Sequence, residues 1–166
     1  MTSLRVDDNL IELALAHSTE TPALVMDVAT LQRTAATFAS YAPAIATYYA
    51  VKANDDAAVL KVLASEGIGF EVASEAELAT LLGLGITPGR IITSNPIKAP
   101  AFIDAIHATG LNRFVVDSAD EIDKLSTRAP GCEVLLRLAV DNTGSTWPLD
   151  EKFAATAIET VELTHH

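Results

Sequence analysis

The feature that most constrains this chain is a strand–helix unit that repeats without a glycine-rich nucleotide loop. Short β-branched or aromatic runs occur at Tyr48–Lys52, Gly69–Ala73, Arg90–Ser94, Arg113–Asp117 and Glu133–Val140. Their centres, near Ala50, Phe70, Ile92, Val115 and Leu136, are 20, 22, 23 and 21 residues apart. Helix-length segments fill the gaps. Val59, Leu60, Val62 and Leu63 pattern one helix, which Gly67 can stop. Ser74-Glu75-Ala76-Glu77 and Ser118-Ala119-Asp120-Glu121 have the spacing of capping boxes and open two more. Pro100 suits the first turn of another, ending at Gly110. Strands alternating with helices at this period predict a parallel sheet with right-handed crossovers. A barrel and a doubly wound sheet both fit. No G-x-G-x-x-G follows any strand, which weakens a dinucleotide-binding reading.

Ahead of these units the sequence predicts a helix over about Asn9–Ala16, a short strand over Ala23–Asp27 and a helix over about Val28–Tyr41. After the fifth strand, Asp141–Pro148 is a polar loop, and one more helix fits about Glu151–Leu163. With 166 residues and 49% hydrophobic composition, the chain can bury a core. Its 22 acidic against 11 basic residues give a net charge of −11, which argues against nucleic acid and anionic membranes as partners. The single cysteine, Cys132, excludes an internal disulfide and a thiolate metal cluster. The start lacks a signal-peptide layout and no apolar run has membrane-spanning length, so a cytoplasmic setting is expected.

Three polar residues interrupt apolar strands near their carboxyl ends: Lys52, Glu71 and Arg137. In α/β folds that edge of the sheet is where ligands bind. Lys52 has two readings, a lysine that ends its strand by reaching water and an amine poised to form a Schiff base with an aldehyde cofactor. The three together also have two, a buried ion network that fixes register and a functional site. Strand parity predicts that Glu71 and Arg137 approach Lys52 at one rim. Lys61 and Lys98 are expected on a helix and at a loop–helix junction, without burial that could depress an amine's pKa. His17 and His107 fall on helices and read as ordinary packing or surface residues.

The segments Tyr49-Ala50-Val51-Lys52-Ala53-Asn54, Phe70-Glu71-Val72-Ala73-Ser74, Gly83-Leu84-Gly85, Arg90–Lys98, Val116-Asp117-Ser118 and Leu136-Arg137-Leu138 resemble, in order and spacing, the fold-type III pyridoxal-phosphate decarboxylases. These are the ornithine and diaminopimelate decarboxylase group, with alanine racemase a more distant relative. The likeness runs from about Thr21 to Phe153, and Asn95-Pro96-Ile97-Lys98 leans to the ornithine/lysine branch. It implies an α/β fold that is an incomplete (β/α)8 barrel of about five parallel strands, preceded by a short helix and strand. Residues 1–27 would pack beside the barrel and 28–166 would form the amino-terminal part of a pyridoxal-phosphate-binding barrel.

The resemblance further implies decarboxylation of a basic amino acid in polyamine biosynthesis, with pyridoxal 5'-phosphate as cofactor. Lys52 is then the Schiff-base lysine and the catalytic residue. Ala50, Glu71 and Arg137 join it as cofactor-binding residues. Glu71 stands where the ornithine enzymes usually carry Asp, and Arg137 would lie beside the cofactor ring. Asp141–Pro148 matches a mobile surface loop, and no metal is implied.

A complete barrel needs eight strands and about 250 residues. The family's ring-stacking histidine, phosphate loop, pyridinium-pairing acid and β-rich second domain have no counterpart in the sequence, and Cys132, His165 and His166 do not supply them. The expected partners are therefore an amino-acid substrate and either a second copy, as in the family's homodimers, or a complementary C-terminal half. The chain alone is expected to have little activity and weak cofactor affinity, and the exposed sheet edges to drive association. The alternatives are an amino-acid racemase and a non-catalytic fragment.

Overall fold

The computed structural model describes residues 8–17, 22, 24–41, 43–146 and 154–166. Among the described residues, five parallel strands alternate with helices as the repeat predicts. β1 (Tyr48–Ala50) pairs with β2 (Gly69–Glu71), β2 with β3 (Ile91–Ile92), and β4 (Arg113–Val116) with β5 (Glu133–Leu136). A parallel bridge from Thr93 to Phe114 joins the two groups, so the order across the sheet is that of the sequence. A further bridge, Leu138 to Ala155, continues the same progression past β5. Sequential parallel order with a helix in each crossover is the construction of a barrel wall, and it excludes the doubly wound alternative, whose order reverses.

The helices are α1 (Asp8–His17), α2 (Val28–Tyr41), α3 (Ala57–Ser65), α4 (Glu75–Gly83), α5 (Pro100–Ala108), α6 (Ala119–Arg128) and α7 (Ala157–Leu163). One face of the sheet supplies Phe70, Val72, Ile91, Phe114 and Val116 to a core completed by Leu60 and Leu63 of α3, Leu81 of α4, Ile103 and Ile106 of α5 and Leu125 of α6. Burial of these side chains removes each from water at roughly 1.5–3 kcal/mol. Gly67 stops α3 in the left-handed region at φ 81°, where a side chain would be strained. Gly69 has a different reason to be glycine. A Cβ there would sit 2.6 Å from the Tyr48 ring.

Several expectations need correction. Leu24–Asp27 form no strand, and Ala23 lies outside the described residues. Asp27 instead caps α2, its carboxylate accepting from the Ala29 amide and the Thr30 hydroxyl. The strands are shorter than their apolar runs: β5 ends at Leu136, although Leu138 still makes its bridge. The last helix starts at Ala157, capped by a Thr156–Glu159 box, while 151–153 lie outside the described residues. Of the loop at Asp141–Pro148, Trp147 and Pro148 also lie outside.

The two capping boxes separate. Ser74 caps α4 by accepting from the Glu77 amide, and Glu77 reaches back to the amide of Ala73 at 2.7 Å. Ser118 makes no side-chain cap bond, and the Glu121 side chain that would complete the box is buried beside Lys98.

Candidate functional site

Strand pairing determines which polar residues share a face. Residues in register on parallel strands point to the same side, and each second residue returns to it. Ala50 pairs with Glu71 and Glu71 with Ile92, so these face together. Ser94, two residues past Ile92, rejoins that face. The Thr93–Phe114 bridge sets Val115 beside it, and Val115 pairs with Leu135. Arg137 follows two residues later. The face opposite the helix-packed core thus carries Ala50, Glu71, Ser94 and Arg137 at the carboxyl ends of β1, β2, β3 and β5.

Lys52 reaches the same rim by a different route from the one expected. β1 ends at Ala50, and Lys52 sits in a one-turn 3-10 helix, Val51–Ala53. Val51 is wholly buried and anchors the turn, while the Lys52 side chain is exposed. The turn is held at both ends. The Asn54 amide donates to Val51 O at 3.1 Å, and the Tyr49 hydroxyl donates to Asn54 O at 3.3 Å. Burial pushes the Tyr49 phenol's pKa up and so keeps it a donor. Asn54 Oδ1 then accepts from the Asp56 amide, and Asp56 caps α3 through the amides of Ala58 and Val59. A flexible amine is therefore presented from a fixed backbone at the mouth of the sheet.

Glu71 is 6% exposed, and its Oε1 accepts from the Ser94 hydroxyl at 2.8 Å. Ala50 and Arg137 are half-buried. The carboxylate is thus paired with a hydroxyl from the neighbouring strand.

The lysine withdrawn from solvent is Lys98, contrary to expectation. It is 2% exposed, and its amine donates to Asn95 O, Pro96 O and Val115 O at 3.0, 3.2 and 2.7 Å. Its Nζ lies 3.3 Å from Glu121 Oε2, and Lys124 completes the cluster by pairing with Glu121 Oε1. Desolvation pulls the Lys98 pKa below its usual value, against the opposing pull of Glu121. Every partner of this amine is structural, so burial there marks a clamp between the β3–α5 loop and α6.

Sequence reasoning missed Ser94, Lys98 and Glu121. One signal was available for Glu121. It precedes the buried Leu125 by four residues, so it shares that residue's inward stripe. Lys98 had no comparable signal, because the loop before α5 has no period.

A sequential parallel sheet with an exposed amine and a buried carboxylate at its carboxyl rim is the layout of a (β/α)-barrel ligand site. Comparison with known proteins makes the class specific. The family described as pyridoxal-dependent decarboxylase, pyridoxal binding domain, matches residues 28–166, and the chain belongs to it.

The chain is 39% identical over 121 residues to an ornithine decarboxylase of Schizosaccharomyces pombe, covering 73% of this chain and 28% of that protein. It is 32% identical over 163 residues to a lysine/ornithine decarboxylase of Selenomonas ruminantium, covering 98% of this chain and 41% of that one. Among solved structures, the lysine decarboxylase of Selenomonas ruminantium superposes with a TM-score of 0.86 at 31% identity, over 97% of this chain and 42% of that one. The arginine decarboxylase of Paramecium bursaria Chlorella virus gives 0.86 at 26% identity, over 94% and 43%. The chain therefore spans well under half the length of the relatives it matches, and its fold is the amino-terminal part of their barrel.

Proposed function

We propose that this chain forms the lysine-bearing part of the site in a pyridoxal-phosphate-dependent decarboxylase of a basic amino acid, of the ornithine, lysine or diaminopimelate type. The observation that carries the reading is the placement of Lys52. It is an exposed primary amine on a fixed turn at the barrel rim, two residues past Ala50, the register partner of Glu71.

The donor set fits the cofactor. A primary amine is the group that condenses with an aldehyde, and an acid and a guanidinium on the same face suit a polar aromatic ring. When bound, pyridoxal phosphate supplies the aldehyde and a sink for the electron pair left as the carboxyl group departs as CO2. The protein's contribution is positioning. Lys52 holds and releases the amine position and can carry a proton at Nζ. With the cofactor bound, Glu71 and Arg137 would place opposite charges on the sheet face shared with Ala50, at the rim where Lys52 would hold the aldehyde carbon.

The same reading carries a homo-oligomer or a complementary C-terminal half as partner, a cytoplasmic setting and a role in polyamine supply. The relatives support it, being ornithine, lysine and arginine decarboxylases by name. No helix among the described residues is long and apolar enough to cross a membrane. The family match starts at residue 28, which supports a division into 1–27 beside the barrel and 28–166 within it.

The test is product analysis of the full-length protein given L-ornithine, L-lysine, L-arginine or diaminopimelate. The reading requires CO2 and the matching amine, lost in Lys52→Ala. Racemised amino acid without CO2 would replace it with the racemase reading.

A further inference from the structure

We propose that Ser94 is a positioning residue, which fixes the rotamer of Glu71 and through it the charge felt at Lys52. The inference rests on Lys52 being the cofactor lysine. Ser94 lies just past β3, on the face it shares with Glu71, and its hydroxyl donates to Glu71 Oε1 at 2.8 Å. Glu71 is buried, so the orientation of its carboxylate depends on protein partners. Oε1 is the oxygen engaged among the described residues.

Glutamate is one methylene longer than the aspartate the resemblance leads one to expect here. The longer arm matches the reach to a hydroxyl on the next strand, so Glu71 and Ser94 make a pair.

The backbone beneath Ser94 is held on both sides. Thr93 O accepts from the Val115 amide at 3.2 Å. The Lys98 ammonium gathers Asn95 O, Pro96 O and Val115 O while it pairs with Glu121. The Lys98 carbonyl in turn accepts from Lys124 Nζ at 3.0 Å. The buried clamp thus fixes the segment that presents the hydroxyl, and the hydroxyl fixes the carboxylate.

The experiment titrates the visible absorbance band of the cofactor bound to the full-length protein against pH. A protonated nitrogen at Lys52 gains from a carboxylate held beside it. In Ser94→Ala the carboxylate is released and the midpoint falls by roughly 0.4–1 pH unit, the equivalent of one hydrogen bond. Ser94→Thr keeps a hydroxyl and returns the midpoint towards the wild-type value. Ser94→Ala adds nothing further in a Glu71→Asp background, where the shorter arm has already lost the contact. An unchanged midpoint in Ser94→Ala, or a full second shift in Glu71→Asp, overturns the inference. A wild-type band that borohydride does not fix to Lys52 overturns instead the reading on which it rests.

Discussion

Lys98 Nζ lies 3.3 Å from Glu121 Oε2, with the two side chains 0% and 4% exposed. The pair joins the loop after β3 to the first turn of α6, and three backbone carbonyls complete the ammonium's shell. A charge this far from water is tolerated only with such partners. The contrast with Lys52 separates two uses of a lysine in one sheet. Lys52 is exposed at the rim, and Lys98 is consumed by structure.

Removing only Glu121 is expected to cost more than removing both members of the pair. Glu121→Gln leaves the Lys98 ammonium without its anion and lowers stability by about 3–5 kcal/mol. The double replacement Lys98→Met with Glu121→Leu removes the unpaired charge and recovers part of that loss, while the carbonyls of Asn95, Pro96 and Val115 lose their donor. Urea unfolding of the three variants checks this. A double variant as unstable as Glu121→Gln would show that the hydrogen bonds to the three carbonyls, and not the charge pair, are at stake.

The same lysine predicts a pH dependence. Burial holds its folded pKa below 10.5, while the unfolded chain titrates at the ordinary value. Between those two values the unfolded state binds more protons, so stability rises with pH. The stability of wild type relative to Lys98→Met should therefore climb as pH rises through the folded pKa and level off near 10.5. Parallel curves for the two chains would contradict the assignment.

The two serines at capping positions should behave differently. Ser74 accepts from the Glu77 amide, and Ser74→Ala is expected to cost about 1 kcal/mol. Ser118 makes no such bond, so Ser118→Ala should stay within about 0.5 kcal/mol. Thermal unfolding of both checks the pair, and equal losses would place a cap at Ser118.

The architecture was legible because the strand–helix period is a physical repeat. An apolar run and an inward stripe recur in each unit, and the strand centres fall where the pairing does. Ends were less legible. The run from Tyr48 to Lys52 reads as one strand, but Val51 is buried by a 3-10 turn, and no periodicity distinguishes the two. At Ser118–Glu121 a local signal met a tertiary competitor. A capping glutamate and a buried partner for Lys98 have the same sequence, and desolvation of Lys98 decided between them.

The site was legible in part. The shared face of Glu71 and Arg137 follows from strand parity, whereas Lys52 stands in a 3-10 turn that parity does not describe. The Ser94 hydrogen bond depends on β2–β3 register, which a single strand's sequence does not carry.

The most direct test of the account is borohydride reduction of the full-length protein with pyridoxal phosphate, followed by peptide mapping. Lys52 is exposed on a fixed turn at the rim, and Lys98 is sealed among carbonyls with Glu121. The account predicts one modified peptide, carrying the adduct on Lys52, and none in Lys52→Ala. An adduct on Lys98, or an undiminished adduct elsewhere in Lys52→Ala, would contradict it.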